Sequence, residues 1–144
     1  MAHPDLDALL NTLLPFAQEQ LSKRGSFLPF GASMNTAGAI NLAAGYTERE
    51  AATPQDLIDL IEKGFAAAAT GRTVPAVGVC IDSLVVPPGQ TAKTDAICCS
   101  LEHASGEAMD VFLPYRKALL GRLKYGELFA VPGAPRTFES PAAT

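Results

Sequence analysis

The feature that most constrains the fold is a series of three strand-like segments in the second half of the chain. They read AVGVCIDSLVV, AICCSLEH and AMDVFLPY, and the stretches PPGQTAKT and ASGE join them. β-Branched and apolar residues fit a pleated, partly buried surface, whereas Pro and Gly mark loops. No helical pattern alternates with these strands, which excludes a doubly wound parallel sheet. The segments therefore predict a mainly antiparallel sheet.

Two helices and a pair of short strands are predicted in the first half. Between Asp5 and Arg24 apolar residues recur at helical spacing, and Gly25 is suited to end the helix. The stretch TPQD at 53–56 has the composition of a helix start, and the apolar pattern that follows ends at Gly71. The strands FLPFGASM and AINLAAGY lie between the two helices.

The predicted fold class is α+β, in the order α-β-β-α-β-β-β, with a further strand in YGELFAVPG. We expect one mainly antiparallel sheet with both helices on one face, in outline similar to profilin-like and roadblock-like arrangements without their closing helix. Residues 1–135 are expected to form a single domain. Residues 136–144 are small, polar and broken by proline, so they are expected to form a flexible tail.

Composition excludes several classes of partner. The net charge is −4, and the 11 Lys and Arg residues form no basic block, which argues against nucleic acid. Three cysteines without CxxC spacing indicate free thiols in a reducing, cytoplasmic location. No secretory signal and no membrane span are recognisable, so we expect no membrane partner. Only 18% of residues are charged, which suits a surface partly buried in a copy of itself or in a protein partner.

Titratable residues cluster in the hairpin CCSLEHASGEAMDVFLPYRK at 98–117. If 104–107 form its loop, His103 and Asp110 become diagonal neighbours on one face, and Glu102 points away. A carboxylate that orients an imidazole base is typical of hydrolytic sites. The alternative is the polar tip of an ordinary hairpin. We favour that alternative because Cys99, on the same predicted face, lies about 13 Å from His103 by normal strand rise.

The cysteines and histidines do not indicate a metal or cofactor. Cys98 and Cys99 are neighbours in a strand and point to opposite faces, so we expect buried free thiols there and at Cys80. A zinc site is not expected, because the chain has two histidines and His3 lies in an end that we expect to be mobile. The chain also lacks the glycine-rich loops that bind phosphates. We therefore predict no cofactor.

A cationic and aromatic patch follows the hairpin. Arg and Tyr anchor many interfaces, so the patch is either a contact surface for an anion or peptide or a solvated connector. It comprises Tyr115, Arg116, Lys117, Arg122, Lys124 and Tyr125.

The segments FLPFGA, DVFLPY and YGELFAVPG resemble a set of small bacterial proteins of unknown function. The resemblance implies that these apolar and aromatic segments belong to the fold, and it implies no activity, cofactor or catalytic residue.

The sequence favours a small soluble binding or protein-interaction module, homodimeric or bound to a protein partner, without a catalytic centre. One alternative is a hydrolase or isomerase built on His103 and Asp110, with Glu102 or Tyr115 as a further group. Another is an immunity-type or antitoxin-type protein whose acidic surface neutralises a basic toxin.

Overall fold

A computed structural model describes residues 3–44, 53–70, 74–134 and 137–138 of the protein. Two α-helices and seven strands form in this part of the chain, and a tight turn at Leu119–Gly121 joins the fifth strand to the sixth. The elements are α1 Pro4–Arg24, β1 Phe30–Met34, β2 Ile40–Ala44, α2 Pro54–Thr70, β3 Ala76–Val85, β4 Thr94–His103, β5 Ala108–Lys117, β6 Leu123–Tyr125 and β7 Phe129–Pro132.

The strands form one antiparallel sheet in the order β2-β1-β3-β4-β5-β6. The short strand β7 pairs with the first half of β5, on the same edge that β6 occupies further along. Every neighbouring pair is antiparallel, and α1, β1 and β2 precede α2 and the three long strands. The predicted fold class and element order are therefore confirmed.

The two helices lie on opposite faces of the sheet, and not on one face as the sequence predicted. α1 buries Leu9 and Leu13 against a core that includes Cys80. α2 buries Phe65 against Val79, whose side chain points to the other face of β3. The strand segment AVGVC is apolar at every position, so both of its faces require a cover.

Glycines allow each helix to approach the sheet closely. A Cβ on Gly78 would lie 2.6 Å from Leu13 Cδ1, so α1 occupies the space that a side chain would fill. On the opposite face, a Cβ on Gly31 would lie 2.9 Å from Phe65 Cζ, so α2 occupies the space that a side chain at position 31 would fill. At the end of α1, Gly25 adopts φ 75° and its N–H bonds to Leu21 O, which is the predicted helix stop.

No helix in the described ranges is long and apolar enough to cross a membrane.

Candidate functional site

His103 and Glu107, the residue before β5, close the β4–β5 hairpin, so its loop has three residues, 104–106, and not the four predicted. The His103 N–H donates to Glu107 O at 2.8 Å, and Gly106 adopts φ 102°, as in three-residue hairpin loops that end in a left-handed glycine. Asp110 consequently pairs with Ser100, one position from the expected register, and its side chain lies on the face opposite His103. The predicted His103 and Asp110 pair is wrong, because a slip of one residue moves every side chain of a strand to the other face.

His103 instead pairs with a carboxylate from the start of α1. Its Nε2 lies 3.0 Å from Asp5 Oδ2, and the Ser105 N–H donates to its Nδ1 at 3.0 Å. Because Nδ1 accepts a hydrogen bond, the proton of the neutral ring lies on Nε2 and is donated to Asp5. Both ring nitrogens are thus engaged, and the side chain is only 11% exposed.

His3 completes this cluster at the hairpin tip. Its ring stacks on the ring of His103, with centroids 3.8 Å apart and an angle of 24° between the planes. The Nδ1 of His3 accepts a hydrogen bond from the Asp5 N–H at 3.0 Å and caps α1. The backbone N–H of His3 donates to Glu107 Oε2 at 3.2 Å. The structure therefore places His3 in hydrogen-bonded and stacked contact with the residues of the hairpin tip.

His3, Asp5 and His103 form a structural contact between two elements, which we call the clamp. This arrangement suits a structural role better than a reaction centre or a metal site. A general base needs a nitrogen that faces the substrate, and the nitrogen of His103 opposite Asp5 is bonded to the Ser105 backbone. The side-chain ligand atoms of His3, Asp5 and His103 lie within 4.8 Å of one another. However, a metal-bound imidazole carries a proton on its other nitrogen and donates it, whereas the Nδ1 of His103 accepts. The cluster joins the start of α1 to the β4–β5 hairpin.

Glu102 is a buried carboxylate that binds the backbone of residues 137–138. It accepts the N–H of Phe138 at 2.7 Å and the N–H of Thr137 at 2.9 and 3.0 Å. Phe138 packs against the buried cluster that contains Phe65 on the α2 face of the sheet. Thr137 and Phe138 belong to the predicted tail of residues 136–144, whose other members lie outside the described residues. These bonds indicate that Glu102 anchors residues 137–138 to the sheet.

The three cysteines are free and buried, as predicted. Cys80 and Cys99 are directly opposite each other in β3 and β4, with 3.6 Å between their sulfur atoms. Burial raises the pKa of the Cys80 thiol well above its ordinary value, which keeps the thiol protonated and unreactive. Cys98 points to the other face of β4.

A groove of about 660 Å³ lies at the end of the sheet remote from the hairpin tip. The loop after β3, the last residues of β5 and the segment from β6 to β7 form its walls. Four of the six residues of the predicted cationic and aromatic patch line it, and prolines and apolar side chains supply much of the remaining surface. The four are Tyr115, Arg116, Lys124 and Tyr125.

The apolar surface of the groove comes from elements that are distant in sequence. Pro87 and Pro88 come from the loop after β3, and Pro114 comes from β5. Phe129 of β7 also lines the groove and stacks on Phe112 with ring centroids 5.1 Å apart. Rigid rings therefore provide much of the apolar surface, which limits the entropy lost when a ligand binds.

The cations of the groove face each other across two strands. Arg116 of β5 and Lys124 of β6 are directly opposite, and both side chains are exposed. No carboxylate in the described part of the chain forms an ion pair with either of them. Like charges directly opposite in a sheet are destabilising. Glu127 also lines the groove but forms no ion pair with either cation, so the pair can bind a further anionic group.

Two members of the predicted patch lie outside the groove. Lys117 points to the α1 face, and its Nζ lies 3.4 Å from the position that a Cβ on Gly25 would occupy. This places the ammonium group at the C-terminal end of α1, where a positive charge is favourable. Arg122 lies in the turn before β6 and is exposed.

Tyr115 is anchored beside the groove. Its hydroxyl donates to Asp82 Oδ1 at 2.7 Å, and the residue is 4% exposed. Burial, followed by the bond to Asp82, raises the pKa of Tyr115 above its ordinary value of 10.0. Burial also raises the pKa of Tyr125, which is more exposed. Both phenols stay neutral at physiological pH.

The Tyr115→Phe variant should be less stable at neutral pH by about 1 kcal/mol, because it loses the hydrogen bond to Asp82. In the parent protein stability should also fall as pH rises above about 10, because the phenol ionises in the unfolded chain before it ionises in the folded one. The variant lacks this phenol, so its stability should fall less than that of the parent protein as the pH rises above about 10. Urea unfolding at neutral and alkaline pH tests this, with Tyr125→Phe as the control for a more exposed phenol. Equal alkaline losses in the parent protein and the Tyr115 variant would contradict it.

Searches among protein families, curated proteins and solved structures found no match to this chain.

Proposed function

We propose that the protein is a small binding module, without a catalytic centre, that holds an acidic, extended peptide segment of a partner protein in the groove at the end of β5. The observation that carries this proposal is the pair of Arg116 and Lys124, which forms no ion pair with a described carboxylate, beside an apolar surface of prolines and aromatic rings. The ligand implied by this pair carries a carboxylate next to apolar side chains.

The shape of the groove favours a peptide. Its volume of about 660 Å³ lies within the range of small-ligand and short-peptide sites. Grooves lined with aromatic rings and prolines bind extended segments, because such segments are already stiff and lose little entropy on binding. The two cations would fix the position of an Asp or Glu side chain, and the rings would contact its apolar neighbours.

Charge argues against self-association through this surface. A two-fold contact would bring the Arg116 and Lys124 pair of one copy close to the same pair of the other, and like charges in an interface are costly. A partner with acidic residues meets no such cost. The predicted homodimer therefore requires another surface of the molecule.

The proposal is tested by selecting peptides from a random library on the purified protein. We expect enrichment of sequences that combine Asp or Glu with proline or large apolar residues. The double variant Arg116→Glu, Lys124→Glu should bind the most enriched peptide at least about tenfold more weakly in fluorescence anisotropy. The matched control is Lys63→Glu, which reverses an exposed charge on α2 outside the groove.

Three results would overturn the proposal: no enrichment, enrichment of sequences without acidic residues, or equal affinity of the double variant and the Lys63 control.

A further inference from the structure

The turn between β5 and β6 holds a leucine in a conformation that leucine disfavours. Leu120 has φ 65° and ψ 26°, and Gly121 follows with φ 73°. The Arg122 N–H faces Leu119 O at 3.5 Å across this turn. Two successive residues with positive φ are typical of a type I′ turn, whose first position prefers Asn, Asp or Gly. Leucine at that position strains the backbone.

The side chains at this turn contribute nothing to the core. Leu119 is 90% exposed and Leu120 is 96% exposed, the two highest values among the large apolar side chains of the described residues. Leu120 thus strains the backbone and exposes apolar surface without packing in return. A contact of these leucines with another molecule or with a membrane would account for both the strained backbone and the exposed apolar surface.

Positive charge surrounds this apolar tip, which we define as residues 118–122. The stretch 111–126 contains four of the eleven Lys and Arg residues of the chain and no acidic residue. All four are exposed, in a protein whose net charge is −4. They are Arg116, Lys117, Arg122 and Lys124.

We infer that the tip docks the protein on an anionic lipid bilayer, with Leu119 and Leu120 entering the boundary of the acyl chains and Arg116, Arg122 and Lys124 lying against the headgroups, while Lys117 stays at the end of α1. Apolar insertion combined with attraction to anionic lipids is the physical basis of peripheral membrane binding. A second copy is a poorer occupant, because it would bring two cationic tips together. This site goes beyond the peptide groove. It also departs from the sequence prediction of no membrane partner, which considered only spanning segments.

The test is sedimentation of the full chain with vesicles of phosphatidylcholine and phosphatidylglycerol, compared with vesicles of phosphatidylcholine alone. We expect binding to the anionic vesicles that weakens with added salt. The double variant Leu119→Ser, Leu120→Asn should bind at least about tenfold more weakly. It should melt no lower than the parent protein, because asparagine suits the positive φ at position 120. Lys63→Glu is the matched surface control and should bind like the parent protein.

Absence of parent binding to the anionic vesicles, or equal binding by the leucine variant, would overturn the inference. A dimer in light scattering that the leucine variant abolishes, without vesicle binding by the parent protein, would assign the tip to a second copy and would also overturn it. The leucine variant should bind the library peptide normally. The two proposals can therefore fail separately.

Discussion

Substitution of His103 by alanine is expected to lower the free energy of unfolding by about 2 kcal/mol, without affecting peptide binding in the groove. The variant removes the bond to Asp5, the acceptor for the Ser105 N–H and the ring that stacks on His3. These contacts join the start of α1 to the β4–β5 hairpin, and the groove lies at the other end of β5. Urea denaturation and peptide anisotropy measure the two effects.

A double-mutant cycle with Asp5→Ala isolates the pair from its surroundings. If the two residues act as one clamp, the double variant should lose clearly less stability than the sum of the single variants, because each single change already breaks the bond. Additive losses would contradict the clamp. A loss of peptide binding by the His103→Ala variant, under conditions in which the variant is folded, would contradict the separation of the clamp from the groove.

Replacement of Gly31 by alanine is expected to cost about 2–3 kcal/mol of stability, or to prevent folding. The new Cβ would lie 2.8 Å from the carbonyl oxygen of Gly78, a backbone atom that moves only if β1 and β3 separate. It would also press on Phe65 and displace α2.

Gly64→Ala is the matched control for this prediction. Gly64 lies within α2, and a Cβ there would meet no atom within 4 Å. Since alanine favours the helix, this variant should gain about 0.5–1 kcal/mol. Thermal or urea unfolding of both variants provides the comparison. If Gly31→Ala were as stable as the parent protein, the close approach of α2 to the sheet would be wrong.

The sequence predicted the fold class because each element carries its own local signal. Helical spacing of apolar residues defines α1, Gly25 ends it, and Pro and Gly separate the long strands. The helix placement failed for a reason that was also visible in the sequence. The run AVGVC is apolar at every position, which indicates a strand buried on both faces and therefore one helix on each side of the sheet.

The candidate site was predictable only in part. The register at the hairpin tip depends on Gly106, whose left-handed conformation shortens the loop by one residue. Asp5 marked only the beginning of the predicted first helix, and nothing local in the sequence links it to His103, 98 positions away. Arg116 and Lys124 were predicted as contact residues because they belong to a cluster of cationic and aromatic side chains. The prolines that line the groove with them come from a separate loop.

The exposure of Leu119 and Leu120, in the tip at residues 118–122, could not be predicted from the sequence. A short run such as KALLGRL is compatible with a helical turn or with an irregular crossing, and adjacent leucines usually indicate core. Here a tight turn with positive φ at Leu120 and Gly121 joins two short paired segments and leaves both leucine side chains exposed. Their exposure follows from the tight connection of β5 to β6, which depends on the pairing of Lys117 with Leu123.

The most direct test of the proposed function is an NMR titration of the isotopically labelled protein with the library-selected peptide. Binding in the groove predicts that the largest amide shift changes lie at residues 115–116 and 124–129, with none at 103–107. Changes centred on the hairpin tip, or none at the groove while the peptide is bound, would contradict the assignment of the groove as the functional site.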